Sequence, residues 1–515
     1  MLREDLMRKD LNSILLRIEH AIEQKEYDAA LSLFEENAAE LISAHSIKPM
    51  MLLTGNIPFE RFTTPFQKLI LGWACLLCGD NGHVRQILDE VESCTLTTAV
   101  ESAIYYSLKA VSIFSANPEE ALKYARFAVD TMEKDANSLY AANVRLTYGQ
   151  LLSGIGDHRM AAHEFFNAYH IFKKHRYYYP AVVSLVSYGL KKYALGEIAE
   201  TVTLFRNELA ACSRKDKSGV YQLIRMPLGV AFFEMNKQKL AIRHLESVMD
   251  LMYQLGFVQM YGVLEMYLVY AYGVSGWYER AYALIDELAG RLSRLNFENV
   301  GTLCAALRAH INLLEGTPVS DSDKELLEAE YLVNGKNTPI GTLLMLARLK
   351  LNGDIDRFNM NDLISWYDSP DAARNIPFAQ TAAILIAEYY YQMREISYCR
   401  EYLEKAVTIY TNCRLSVRFL IEKAECLTLL RDINRDLYRM LKARMKRQAA
   451  SGALTPREKE ILSLMAQGLS NKEIAHHLYI GVSTAKWHIN NIYGKLHAKR
   501  RSQAIAQARK LGLLP

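Results

Sequence analysis

The 515-residue sequence is half apolar and carries 61 Lys and Arg against 57 Asp and Glu, a formal net charge of +4. That length exceeds what one hydrophobic core serves and points to several units or a repeat array, while 26 glycines and 12 prolines are too few for a loop-rich or fibrous chain. No run of about 18 uncharged apolar residues offers a membrane span, and the opening "MLREDLMRKDLNS" has no signal-peptide core, so the expectation is a soluble, cytoplasmic protein with no membrane partner.

Seven of the eight cysteines sit in helix-like stretches rather than in disulfide-like loops, which fits a reducing compartment. Cys75 and Cys78 in "WACLLCGDNGH" have CxxC spacing, and with His83 and Cys94 they admit a zinc site. Their place in an apolar helix beside Trp73, Leu76 and Leu77 favours buried core thiols, and no metal is assigned.

From residue 79 the chain is punctuated by short polar or glycine-containing turns. With Gly79, Asn117, Gly156, Gly196, Asn236 and Gly276 as markers, the intervals are 38, 39, 40, 40 and 40 residues. A small residue follows four or five positions on, at Ala121, Ala161, Ala241 and Ala281, as a close helix crossing requires; the repeat at Gly196 carries Thr201 instead. Two helices per period of about 40 predict a tetratricopeptide-like α-solenoid over 1–430, whose stacked pairs share one core and present a binding surface. The pattern blurs after about residue 300 and returns at "FAQTAAILIAEYYYQMREISYCREYLEKAVTIY".

The 31 tyrosines cluster at Tyr105 and Tyr106, at Tyr177 to Tyr179 and at Tyr389 to Tyr391. Packed rings with wet hydroxyls at helix boundaries account for them better than a ligand surface does. No phosphate loop is present, since "NGKNT" lacks the first glycine and a preceding strand, and neither a GxSxG elbow nor an HExxH helix occurs. No enzyme is expected, and no cofactor.

The charge is unevenly placed. Residues 1–430 hold 44 basic against 52 acidic side chains, residues 431–450 seven against two, and residues 451–515 ten against three. An acidic body with a basic end suggests that the end alone meets a polyanion. Residues 431–450 read as a basic helical linker, and "AASGA" as the break before a terminal domain over 451–515.

In that domain Thr455, Pro456 and Glu458 predict a capped helix start, and Ile461, Leu462 and Met465 its buried face, with Gly468 as its end. Ser470 with Glu473 repeats the capping box and starts a short helix burying Ile474, Ala475 and Leu478. "YIG" then has the length of a helix-turn-helix connection. In the next helix, from Val482 to about Leu496, a turn of about 100° per residue puts Ala485, Ile489, Ile492 and Leu496 within about 60° of arc and Ser483, Lys486, Trp487 and Asn490 nearly opposite. An exposed tryptophan beside a lysine and an asparagine gains nothing for solubility. Lysine can donate to guanine, asparagine can pair with adenine, and an aromatic edge can meet a thymine methyl, so this face is expected to read double-stranded DNA. Thr484, His488, Asn491 and Lys495 lie on the flank, where phosphate contacts are expected.

The stretch "LTPREKEILSLMAQGLSNKEIAHHLYIGVSTAKWHINNIYGKL", continued by "AKRRSQAIAQARKLGLL", resembles the C-terminal LuxR-type helix-turn-helix over about 60 residues. The resemblance implies a four-helix DNA-binding domain in which Lys486, Trp487 and Asn490 touch bases, and it adds Ser470, Asn471, Lys472 and Arg501 to the phosphate-contacting set. Gly481 stands where that family usually has serine and Ala485 where it usually has valine, which loosens the entry to the reading helix. Repeats followed by this domain also resemble the MalT-like large regulators, here without their ATPase module. The whole is therefore expected to be an all-α transcriptional regulator whose repeats sense a small-molecule or protein effector. It would bind DNA as a homodimer and meet RNA polymerase. The alternative is a protein-interaction scaffold with only non-specific DNA affinity.

Overall fold

The computed structural model describes residues 9–43, 47–78, 80–212, 219–255, 258–294, 299–422, 424–450, 454, 456–478, 482–496, 498, 500–510 and 513–514. Every regular element among them is a helix, so the fold is all-α, with helix pairs in repetition followed by a small helical domain. The chain divides into two compact units, one of Met1–Ala231, Arg243–Tyr261 and Ala373–Ile376, the other of Phe232–Ile242, Gly262–Ala372 and Pro377–Pro515.

The repetition comes from one turn used many times. At Gly156 and Gly196 the backbone is left-handed, with φ of 76° and 77°. The Gly156 N–H reaches back to Ser153 O and the Asp157 N–H to Leu152 O, the paired bonds that satisfy the last carbonyls of a helix while reversing the chain. Gly276, Asn236 and Arg394 build the same turn within the second unit, with φ of 76°, 58° and 63°. Arg176 does so between Gly156 and Gly196, at φ 64°, so the turn recurs every 20 residues there and not only every 40. Asn117 plays a different part from the other markers: it caps the Pro118–Thr131 helix, accepting from Glu120 N at 3.2 Å. Its counterpart is therefore Asp157, the cap of His158–Lys174, and the repeat is 40 residues there as well. Gly79 lies outside the described residues.

The small residue four positions after each cap is buried, Ala121, Ala161, Ala241 and Ala281 at 0% and Thr201 at 5% exposure. A second repeated contact lies between helices of the first unit. A Cβ on Gly149 would meet the Phe165 ring at 2.8 Å, and one on Gly189 would meet Phe205, the same pair 40 residues on. Glycine at these two places lets a phenyl ring lie directly on the neighbouring backbone.

One core of the first unit joins Leu15, Phe34, Phe62, Ile87 and Leu108. In it Cys75 is buried; the Cys78 side chain lies outside the described residues, His83 pairs with Asp80 at 2.6 Å, and Cys94 is exposed. The blurred region beyond residue 300 remains helical, with Val300–Glu315, Asp321–Asn334 and Ile340–Asn352 joined by connections over 316–320 and 335–339. The core of the second unit runs from Ala305 through Leu385 and Leu403 to Leu437 and Leu441. The last two belong to the basic Arg435–Ala450 helix, so its start is packed on the repeats. Tyr389, Tyr390 and Tyr391 lie half-buried against this core, as expected of ring-packing tyrosines. No described helix is long and apolar enough to cross a membrane.

Candidate nucleic-acid interface

Four helices make up the terminal domain: Pro456–Ala466, Asn471–His477, Val482–Lys495 and Arg501–Lys510. Their shared core contains Leu454, Ile461, Leu462, Met465, Ile474, Ala475, Ile489, Ile492, Leu496 and Ala504. Ala485, at 0% exposure, belongs to it too, so the small side chain sits where the helices cross.

The second helix starts at a complete capping box. Ser470 N donates to Glu473 Oε2 at 2.6 Å and Glu473 N to Ser470 Oγ at 3.3 Å, two otherwise unpaired donors satisfied together. These hydrogen bonds from Ser470 hold the Glu473 carboxyl below the usual carboxylate range. At the first helix start Thr455 lies outside the described residues. Glu458 there is turned inward, 3% exposed, and accepts from Lys495 Nζ at 2.6 Å.

The Val482–Lys495 helix separates its side chains cleanly where they are described. Lys486 and Asn490, one turn apart, are exposed, while Ala485, His488, Ile489 and Ile492 are buried. The side chains of Ser483, Thr484, Trp487 and Asn491 lie outside the described residues, as do Tyr479, Ile480 and Gly481 of the connection. At the start of the preceding helix, Asn471–His477, Ser470 and Lys472 are exposed and Asn471 is half-buried.

Three of the residues expected at phosphates are placed inward. His488 is 3% exposed, within the apolar stripe. Lys495 joins its helix to the first through Glu458. Arg501 Nη2 donates to Met465 O at 2.8 Å and Leu469 O at 2.5 Å, closing the turn at Gly468, where the φ is 93°. A guanidinium on carbonyls at a helix C-terminus also meets the negative end of the helix dipole. The domain thus uses two of its cations as internal struts, while Lys459, Lys472, Lys486, Arg500, Arg509 and Lys510 are exposed.

A core of crossed short helices with one polar helix face turned outward defines a helix-turn-helix class of domain. Residues 452–508 match the family model "Bacterial regulatory proteins, luxR family", so the chain ends in a LuxR-type domain. Over 58 residues it is 48% identical to the transcriptional regulatory protein LiaR of Bacillus subtilis (strain 168), covering 11% of this chain and 28% of that protein. Over 69 residues it is 45% identical to the response regulator protein VraR of Staphylococcus aureus, covering 13% of this chain and 33% of that one. The chain therefore spans a third or less of these curated relatives. Among solved structures, a Rap protein complexed with competence and sporulation factor is similar at a TM-score of 0.44 and 14% identity, over 79% of this chain and 99% of that one.

Proposed function

We propose that this chain is a transcriptional regulator that binds double-stranded DNA with the Val482–Lys495 helix in the major groove. Lys486, Trp487, Asn490 and Ser483 read base edges, and Ser470, Asn471, Lys472, Thr484 and Asn491 meet phosphates. The observation that supports this best is the outward pair Lys486 and Asn490 on a helix whose opposite face is sealed in the core of a domain matching the luxR family model. One such domain offers a small interface, so two chains pair on half-sites about 34 Å apart. The helical repeats before it are the sensing part, which takes an effector and controls that pairing.

The test is selection of bound sequences from a random duplex pool by the full chain, followed by titration at several salt concentrations. Lys486→Ala is expected to lose about 1–3 kcal/mol against the selected sequence and little against random duplex. Equal affinity for selected and random duplexes, differing only with salt, would instead identify a scaffold with a non-specific basic end.

A further inference from the structure

Buried carboxylates of the second unit come paired with a cation. Glu234 faces Arg418, Glu265 faces Arg291, Asp323 faces Arg308, Glu422 faces Arg348 and Glu458 faces Lys495. Glu388 departs from this pattern. It is 6% exposed, near the end of the Ile376–Gln392 helix, and among the described residues it has no ion pair. Its oxygens accept from neutral donors, Cys426 N at 2.9 Å and Gln392 Nε2 at 3.3 Å. A carboxylate removed from water and met only by neutral donors retains much of its desolvation cost.

Glu388 lines a cavity of about 360 Å³, within the size range of small-ligand sites. Leu313, Leu351, Leu385 and Ile421 form the apolar part of its lining, beside the neutral amides of Asn352 and Gln392. Arg348 and Glu422 also border it, but they close on each other in a bidentate pair, Nε to Oε2 at 2.7 Å and Nη2 to Oε1 at 2.6 Å. The guanidinium is thereby engaged, and Glu425 at the rim adds a second negative charge. An anion entering here would meet Glu388 unshielded, and a neutral apolar molecule would leave Glu388 as it is. An organic cation with an apolar body satisfies both parts of the lining.

We propose that this cavity binds a primary ammonium carried on a small apolar group, with the ammonium against Glu388 and the hydrocarbon between Leu351 and Leu385. The same chemistry is offered by a free alkylamine and by the N-terminus of a short apolar peptide. The Cys426 N–H that holds Glu388 belongs to Glu425–Leu429, which runs through Leu430–Ile433 into the basic Arg435–Ala450 helix. A ligand that changes what Glu388 bonds therefore acts on the segment leading to the terminal domain. That consequence rests on the DNA-binding reading above, whereas the site itself does not.

The test is calorimetry on the full chain without DNA. The probes are hexylamine, hexanol, hexanoate, and leucyl-leucine amide with a free or an acetylated N-terminus. Hexylamine or the free-amine peptide is expected to bind at least about tenfold more tightly than hexanol or the acetylated peptide, as a charge-assisted bond to a buried carboxylate implies; hexanoate should not bind. The tighter of the two amines identifies the source. Glu388→Gln keeps an acceptor for Cys426 N and should erase the preference. Ala424→Phe, which fills the cavity and leaves Glu388 in place, should abolish binding altogether. Equal binding of hexylamine and hexanol, an amine preference that survives Glu388→Gln, or no binding of either amine by the folded chain would overturn the proposal. A chain that binds hexylamine in this way but selects no duplex sequence would refute the regulator reading and leave the site standing.

Discussion

Lys495→Met separates two uses of one charge. In the structure Lys495 Nζ lies 2.6 Å from Glu458 Oε2, with the side chains 25% and 4% exposed. Methionine keeps the packed stem and removes the cation, leaving a buried carboxylate without it. Breaking a buried pair on one side costs about 3–5 kcal/mol, and a charge-assisted hydrogen bond contributes about 1.5–3. Because a quarter of the lysine is open to water, the lower end applies, about 2 kcal/mol. A domain of about 60 residues has only about 3–9 kcal/mol in all, so the change is a large fraction of its stability. Hydrogen–deuterium exchange on the full chain should read it as a roughly 30-fold loss of protection in Pro456–Ala466 and Val482–Lys495. Adding Glu458→Gln should restore part of that loss. The slope of log affinity for duplex against log salt should stay as in the parent, whereas Lys472→Ala should reduce it by about 0.9. Unchanged exchange with a slope lowered by about one would show that Lys495 acts on phosphate and that the strut is immaterial.

Gly149→Ala should destabilise the first unit by about 1–3 kcal/mol, since the added Cβ would lie 2.8 Å from the Phe165 ring; a denaturant midpoint unchanged from the parent would contradict the close packing. Ser470→Ala should cost the terminal domain about 1 kcal/mol by removing the cap. Glu473 is held below the usual carboxylate range by the same cap, so its contribution is present above its unfolded pKa and is lost as pH falls through the depressed folded value. Protection from exchange in Asn471–His477, taken relative to the intrinsic rate at each pH, should therefore fall toward low pH in the parent and change less in Ser470→Ala. In the first unit burial first, then neighbouring cations, push His158 and His244 down to about 4. Between the usual histidine value near 6.5 and about 4 the unfolded chain binds protons that the folded chain does not, so stability should fall across that window. His158→Asn should flatten part of the fall, and an unaltered slope in thermal melts would count against burial of a neutral ring.

The helix period and the small residue after each cap are legible in the sequence because they are local. A left-handed turn favours glycine, and a crossing favours alanine. Arg176 hides the 20-residue half-period because the same turn is built there without glycine, held by bonds to Phe172 O and Lys173 O that leave no compositional mark. The inward placement of His488 and Lys495 was closer to hand. On the wheel that groups Ala485 with Ile489, Ile492 and Leu496, His488 lies about 40° and Lys495 about 60° beyond the edge of that arc. A packed helix buries a stripe of at least about 100°. Both residues therefore fall where the neighbouring helix covers them, although a flank position leaves room for phosphate contacts. Charge then decides what each must find there: Lys495 needs an anion, and Glu458, 37 positions earlier, supplies it only through the fold. Glu388 shows the converse case, a buried carboxyl that has no ion pair among the described residues. What a fold leaves electrostatically incomplete in its interior is a sharper pointer to an outside ligand than any surface motif, because each of its neighbours in the second unit shows that the chain elsewhere provides the missing partner itself.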